Sequence, residues 1–459
     1  MDYGIKSTHS ALKNKLISYI SAQYLGENRM LLEASKGKID EIGTLYQEPF
    51  IEANPAYEVK ENGIENSEFI PEAIKKILAD MVEAKLGVFK NPFSHQVEAL
   101  EEFYKNKDLL VTTGTGSGKT ECFMWPMISS IVNEASKDQN SWKQKGVRAL
   151  MLYPMNALVS DQISRLRRMM GDTEGRFREV FYKNTKNNDI RIPKFGMYTG
   201  RTPYPGSDSK ERNKSIANTF KRDLLSKNEK VLEKLKSIGK YPAKVDLESF
   251  IYGLENEDKH ITNDYDAELI TRQEMQQLCP DILITNYSML EYMLNRPFEK
   301  SIWLETKKWL NLSTENKLLF IIDEAHMYKG SSGGEVAFLI RRLLNRLDIS
   351  RDKVRFILTS ASVPKNSDKE ITKFACDLTS QNIETNSFEI IYGKQQNIDE
   401  NIGMDIDFTK LLNFDTTLFQ SSDERKLDAL KSFFSIIDIE DANKLNSFKE
   451  AQVFLYDFL

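Results

Sequence analysis

Hydrophobic positions change their spacing along the chain at about residue 86. Before that point apolar residues recur at helical intervals, and Pro71 stands where a first helical turn tolerates proline. The apolar positions are Ile70, Ile74, Ile77, Leu78, Met81 and Val82. We therefore predict a helical N-terminal region over residues 1–85.

Beyond residue 86, short apolar or β-branched runs alternate with helical stretches. The runs are Leu109–Val111, Ala149–Tyr153, Phe195–Tyr198, Ile282–Thr285, Leu318–Asp323 and Val354–Thr359. This alternation predicts an α/β fold over residues 86–384, with a parallel sheet covered by helices on both faces. Ligands of such sheets bind at the carboxyl ends of the strands.

Two stretches depart from the alternation. Between Arg201 and Glu268 the chain becomes polar and lysine-rich, which predicts a helical insertion at about residues 203–267. Its lysines either contact nucleic acid or form a solvated helical face. Residues 385–459 are acidic, and we interpret them as a partial C-terminal segment or the start of a linker.

Composition narrows the class of protein. The 459 residues are 40% hydrophobic and 29% charged, as in globular proteins with more than one core. No apolar run reaches the roughly 18 residues that cross a bilayer, so we expect a cytoplasmic protein without membrane contact. The cysteines lie far apart, which predicts neither a zinc cluster nor disulfides. The net charge of −5 argues against a uniformly basic nucleic-acid coat.

Residues Thr112–Thr120 (TTGTGSGKT) follow an apolar run and have the composition of a phosphate-binding loop. Glycines bring the backbone close to the phosphates, N–H groups point inward, and a lysine meets the β/γ oxygens. We predict Lys119 in that role and the Thr120 hydroxyl on Mg²⁺. Upstream, we predict that the Gln96 amide reads an adenine edge and that Phe89 or Phe93 stacks on the ring. The nucleotide-binding candidates are Phe93, Gln96, Thr113, Gly114, Thr115, Gly116, Ser117, Gly118, Lys119 and Thr120.

The apolar run Leu318–Ile322 ends in two adjacent carboxylates. We predict that Asp323 holds Mg²⁺ and that Glu324 deprotonates the attacking water. His326 follows directly and indicates a link to a neighbouring segment. Its predicted partners are hydroxyls that close another strand, and these coupling candidates are Thr359, Ser360 and Ser362. The catalytic candidates are Lys119, Asp323, Glu324 and His326.

These motifs, in this order, resemble those of superfamily 2 helicases, with Asp323–His326 as a DEAH-type motif. In that superfamily alanine or threonine commonly stands where Thr113 stands here, whereas Ser362 replaces a usual threonine. The resemblance covers about residues 86–395. It implies the first RecA-like domain of a P-loop NTPase, with ATP and Mg²⁺ as its ligands.

Three further segments resemble nucleic-acid motifs of the same superfamily: Tyr153–Gln162, Tyr198–Thr202 and Pro280–Met293. The last is similar to bacterial helicases of the Mrf and Hrq repair type and to large helicase subunits of anti-phage islands such as Druantia and DISARM. The resemblance implies sequence-independent contacts with the phosphate backbone of a single strand. The candidates are Pro154, Asn156, Thr199, Gly200, Arg201, Thr285 and Asn286.

Superfamily 2 motors hydrolyse ATP between two RecA-like domains, and arginine fingers contribute about 10³ to 10⁵ in rate. The residues after Ser362 are too few for a second domain, so we expect a partner domain in cis or in trans and little hydrolysis without it. The leading hypothesis is the motor domain of a DNA helicase in anti-phage defence or repair, with other defence subunits as further partners. An RNA helicase and a non-catalytic, ATP-gated nucleic-acid-binding module are the alternatives.

Overall fold

The chain divides into two compact units, Tyr57–Gln396 and a smaller one that combines Met1–Ala56 with Asn397–Leu459. The structure, a computed structural model, describes residues 5–25, 29–48, 56–114, 116–171, 174–203, 210–257, 260–361, 367–385, 388–396, 418, 422–436 and 445–451. The smaller unit contains helices α1 (Ile5–Ile20) and α2 (Arg29–Ile39) and a helix at Asp423–Ile436. Among the described residues, no helix is both long and apolar enough to span a bilayer.

The larger unit is built on one sheet of eight parallel strands. Their spatial order is β4-β3-β5-β2-β6-β7-β1-β8. The strands are β1 (Asp108–Thr112), β2 (Ala149–Tyr153), β3 (Phe195–Tyr198), β4 (Glu268–Leu269), β5 (Ile282–Asn286), β6 (Leu318–Ile322), β7 (Val354–Ser360) and β8 (Phe388–Tyr392). All six predicted strands are confirmed, and the neighbours of the P-loop strand β1 are β7 and β8.

Helices cover both faces of the sheet. In the larger unit they are α3 (Glu72–Glu83), α4 (Ser94–Tyr104), α5 (Glu121–Lys137), α6 (Gln139–Lys143), α7 (Asn156–Met169), α8 (Arg176–Thr185), α9 (Lys210–Phe220), α10 (Glu229–Ser237), α11 (Leu247–Tyr252), α12 (Arg272–Leu278), α13 (Tyr287–Asn295), α14 (Lys300–Leu312), α15 (Ser331–Leu347) and α16 (Asp368–Thr379). Because strand side chains alternate, Leu109 and Val111 enter the core with α3, α4, α5, α7 and α8, while Leu110 packs with α12 to α16. The predicted α/β architecture is confirmed.

The larger compact unit extends beyond both ends of the range 86–384 that the sequence analysis assigned to the sheet domain. Strand β8 pairs with β1 from Asp108↔Phe388 to Thr112↔Tyr392, so the sheet continues past residue 384. This strand escaped prediction because it is an edge strand in which only Phe388 and Ile391 are buried. At the other end, residues 57–85 belong to the larger unit, since buried residues of α3 join the same core as β1.

The lysine-rich insertion forms a small core of its own. Helices α9 and α11 contribute to it with π-helical turns at Lys221–Leu225 and Gly253–Glu257, and Phe250 is one of its buried residues. Helix α10 has no buried residue and leaves Val231 and Ile238 about 40% exposed. The predicted apolar stripe is therefore only partly buried, because α10 lies at the periphery of this core.

Candidate functional site: a nucleotide cavity and a strand cavity at one sheet edge

The phosphate loop connects β1 to α5 in a conformation that requires glycine. Gly116 and Gly118 have φ of +78° and +74°, a region that side chains with a Cβ rarely adopt. The Ser117 hydroxyl donates to the Gly114 carbonyl at 2.8 Å and accepts from the Thr113 hydroxyl. Threonine at position 113 therefore braces the loop through its hydroxyl. Thr115 lies outside the described residues.

A cavity of about 440 Å³ opens beside this loop, and we call it the nucleotide cavity. Its lining includes the predicted Phe93, Gln96, Gly116, Gly118, Lys119 and Thr120, together with Phe89. The Gln96 amide is not free in the cavity: its oxygen accepts from the Phe93 N–H at 2.9 Å and its nitrogen donates to the Gly118 carbonyl at 3.1 Å. The Phe93 ring stacks on His95, whereas Phe89 is 54% exposed.

The two predicted carboxylates lie at the end of β6, beside Lys119. The ammonium group of Lys119 is 3.6 Å from a Glu324 oxygen and donates to the Ser360 carbonyl at 3.4 Å. Asp323 accepts from the Thr359 hydroxyl and from the Glu324 N–H at 3.1 Å. Burial raises the pKa of Asp323, and the Thr359 hydrogen bond and the Lys119 charge oppose that rise. The motifs from β1, β6 and β7 thus meet at one point.

His326 reaches the segment after β7, but through a different contact from the predicted one. Its Nδ1 accepts from the backbone N–H of Ala361 at 3.3 Å and lies 3.3 Å from a Glu324 oxygen. A ring that accepts at Nδ1 carries its proton on Nε2. The predicted hydroxyl of Thr359 is bonded to Asp323 instead. Ser362 lies outside the described residues.

A second cavity, of about 550 Å³, lies at the carboxyl ends of the β-strands. We call it the strand cavity, after the nucleic-acid strand that the sequence predicts its residues to contact. Three predicted nucleic-acid residues line it: Pro154 after β2, Arg201 after β3 and Asn286 at the end of β5. Three further lining residues, Met155, Tyr287 and Ser288, lie within the predicted nucleic-acid motifs but were not candidates themselves. The remaining lining residues lie outside those motifs, and they are Tyr328, Ser332, Glu335 and Val336.

Two of the other predicted nucleic-acid residues are buried and have hydrogen-bond partners within the chain. Thr285 is fully buried, and its hydroxyl donates to the Tyr198 carbonyl at 2.7 Å. Thr199 is 1% exposed, and its hydroxyl accepts from the Arg201 N–H at 3.2 Å. Both hydroxyls therefore hydrogen-bond within the strand ends, and the prediction that these two positions contact a nucleic-acid strand stays a prediction. Gly200 is open to solvent, since a Cβ there would meet nothing within 4 Å. Asn156 begins α7, and its side chain is not described.

Two residues that the sequence analysis did not identify contact backbone carbonyls of the site loops through their side chains. Arg272, at the start of α12, donates to the Thr199 carbonyl at 2.6 Å and is 8% exposed. His95 is fully buried, with Nε2 2.8 Å from the Ser117 carbonyl oxygen. The position of His95 next to Gln96 was an available signal, whereas Arg272 follows the insertion without any motif.

This chain is similar to several known proteins. Residues 93–194 and 225–370 match the family described as DEAD/DEAH box helicase. Druantia protein DruE of Escherichia coli (strain UMEA 4076-1) is 41% identical in an alignment of 447 positions that covers 91% of this chain and 24% of that protein. The uncharacterized ATP-dependent helicase YprA of Bacillus subtilis (strain 168) is 25% identical over 66% of this chain and 27% of its own length. A crystal structure of the helicase MrfA bound to DNA and AMPPNP matches 84% of this chain and 40% of that chain, with 18% identity and a TM-score of 0.41.

The chain spans about a quarter of the length of these curated relatives. The family match covers more than half of this chain and includes Gln96, the phosphate loop, Asp323–His326 and the end of β7. The resemblance inferred from the motifs is thereby confirmed. The chain belongs to the DEAD/DEAH box helicase family.

Proposed function

We propose that this chain is the first motor domain of an ATP-dependent DNA helicase or translocase, and that it binds ATP, Mg²⁺ and single-stranded nucleic acid. One observation carries the proposal: the phosphate loop, the carboxylates after β6 and the strand cavity all follow the carboxyl ends of parallel strands in one sheet. A nucleic-acid strand bound in that cavity would lie against Tyr328, which follows Glu324 closely along the chain.

The residues around the nucleotide cavity have separate roles in the proposed ATP hydrolysis. Lys119 binds the β/γ oxygens, which requires its ammonium group to leave Glu324. Glu324 is then free to accept the proton of the attacking water. Asp323 and Thr120 would hold Mg²⁺, which neutralises charge on the phosphates. His326 and Thr359 connect this site to the end of β7.

The partners of this domain are also part of the proposal. A second RecA-like domain, in cis or in trans, would supply the arginines for hydrolysis, and the chain's quarter share of its relatives' length supports this. The 41% identity to Druantia protein DruE supports anti-phage defence, with other defence subunits as partners, over repair.

The test combines nucleotide binding with turnover. ADP affinity is measured by calorimetry, and ATPase activity is measured with the second domain supplied, in the presence of single-stranded DNA or RNA. We expect ADP binding that Lys119→Ala weakens at least about tenfold, because a charged hydrogen bond contributes about 1.5–3 kcal/mol. Lys105→Ala, at an exposed lysine that directly follows α4, is the matched control.

Turnover stimulated more by DNA than by RNA is the expected result, and the reverse order would identify an RNA helicase. Nucleotide-dependent strand binding without turnover would identify a non-catalytic module. Robust ATP hydrolysis by this chain alone, abolished by Lys119→Ala, would show that no second domain is needed.

A further inference from the structure

Two consecutive side chains at the start of α4 hold two consecutive carbonyls of the phosphate loop. Nε2 of His95 is 2.8 Å from the Ser117 oxygen, and the Gln96 amide donates to the Gly118 oxygen at 3.1 Å. Both contacts join residues 22 positions apart, so the start of α4 and the loop lie alongside each other in register. The loop carbonyls are thus bound on the side that faces α4.

Fixing these carbonyls fixes the peptide planes that carry the loop's N–H groups. A phosphate loop works by presenting successive N–H groups to the anion, and each N–H is opposite to the carbonyl of its own peptide unit. We propose that His95 is a positioning residue of the phosphate loop, one that holds the Ser117–Gly118 peptide so that its N–H is available to phosphate. This rests on the proposed binding of a nucleotide at this loop.

The surroundings of His95 favour a neutral ring with its proton on Nε2. The side chain is fully buried, and Nδ1 has no hydrogen-bond partner within the described part of the chain. The rings of Tyr57 and Phe93 lie 5.3 and 5.6 Å away. A proton on Nδ1 would therefore be buried without an acceptor, which costs free energy. The Ser117 carbonyl can only accept, so Nε2 must donate.

Charged groups around the ring set its response to pH. Burial lowers the pKa of His95, and the charge of Lys394 lowers it further, while the hydrogen bond to Ser117 and the charge of Glu98 oppose the shift. Lys394 and Glu98 form an ion pair at 3.0 Å. His95 therefore remains a neutral donor at neutral pH and takes up a proton only in acid.

The first experiment compares His95→Gln, which keeps a neutral N–H donor of similar reach, with His95→Leu, which keeps the volume but has no donor. Affinity for a fluorescent ADP analogue should fall about 5- to 10-fold in His95→Leu, the effect of one hydrogen bond. His95→Gln should stay within about twofold of the wild type. His260→Gln, a histidine of the insertion, is the matched control. Equal affinities for His95→Leu and wild type would overturn the proposal.

A second readout does not depend on nucleotide binding. Hydrogen–deuterium exchange of the loop peptide covering residues 113–120 should be faster in nucleotide-free His95→Leu and unchanged in His95→Gln. If wild type binds no nucleotide but His95→Leu loosens the loop, the proposed function fails and the role of His95 stands. If nucleotide binds and both variants exchange like wild type, the role of His95 fails alone.

The third experiment measures nucleotide affinity as a function of pH. The affinity of wild type, compared with His95→Gln at each pH, should decline in acid as the ring takes up a proton. Lys394→Gln should move that decline to higher pH, because it removes a charge that lowers the pKa of His95 and leaves Glu98 unpaired. A decline that is identical in His95→Gln would contradict the assignment of this titration to His95.

Discussion

The folded surroundings of Asp323 disfavour the ionised form of its carboxyl group. Its side chain is buried, and that burial raises the pKa of its carboxyl group. A carboxyl group whose pKa is raised by folding stabilises the native state below its unfolded pKa, and this stabilisation is lost as pH rises through the folded pKa. The ionised form that a Mg²⁺ site requires therefore costs folding free energy at neutral pH.

Asp323→Asn should raise the melting temperature of the nucleotide-free protein by about 1–3 °C at neutral pH. The amide keeps an oxygen that accepts from Thr359 and carries no charge. Calorimetry in a chelating buffer measures the shift, and the gain should shrink in acid as wild-type Asp323 takes up a proton. The control is Asp348→Asn, since Asp348 is exposed and pairs with Lys307 at 2.8 Å. A lower melting temperature for Asp323→Asn at neutral pH would refute this account.

Motif residues were predictable at the scale of single side chains, and their supporting residues were not. Lys119, Asp323 and Glu324 follow apolar runs in the sequence, and the structure brings them together. Arg272 acts through the carbonyl of Thr199, 73 residues away. Such a bond depends on how elements pack, and any long polar side chain can make it. Local sequence therefore carries no signal for it.

Among the elements, the insertion is joined to the base of α12 by a buried charge cluster. Lys244 is fully buried, pairs with Asp266 at 3.1 Å and also contacts Glu274. Glu274 accepts from the Thr271 N–H at 3.1 Å and so caps α12. One lysine thus compensates two buried carboxylates, and its removal would leave both without their cation.

Lys244→Met should destabilise the protein by about 3–5 kcal/mol, the usual cost of removing one partner of a buried ion pair. Urea unfolding measures the loss, and limited trypsin digestion should show earlier cleavage in the insertion. Lys240→Met, at an exposed lysine nearby, is the matched control and should change the free energy of unfolding by less than about 0.5 kcal/mol. Equal stability of the two variants would show that the cluster contributes little.

Strands were predictable where burial on both faces makes them continuously apolar. Strands β1, β2 and β6 are buried at every position and stand out in the sequence. Strand β4 has only two residues, and β8, at the sheet edge, is interrupted by the exposed Glu389 and buries only Phe388 and Ile391. Neither gives a continuous apolar run, so the sequence analysis missed both.

At the scale of the whole molecule, the larger unit should be independent. It contains the sheet, both cores on its faces and the nucleotide cavity. A protein of residues 57–396 should fold, and its ADP affinity should be within about twofold of the full chain, because domains with their own core fold alone. Circular dichroism and calorimetry check this. An unfolded product, or a tenfold loss of affinity with the fold intact, would show that the smaller unit contributes to the site.

The division into these units could not be predicted from helical spacing. The apolar stripe of α3 predicts a helix with one buried face, but it does not identify the surface on which that face packs. In the structure Ile74, Leu78 and Met81 pack in the core of β1, so α3 belongs with the sheet. The α/β class itself was predictable because alternating strands and helices allow few arrangements.

The chain enters and leaves the larger unit at the same place. Tyr57 and Gln395 form an antiparallel bridge, and the Glu58 N–H donates to the Lys394 carbonyl at 2.9 Å. This bridge directly follows β8, and the Gly393 N–H donates to the Thr112 carbonyl at the end of β1, so the first and last residues of the unit are tied to the strand that precedes the phosphate loop. A substitution that breaks this bridge should therefore be felt at the phosphate loop, although it lies outside the nucleotide cavity.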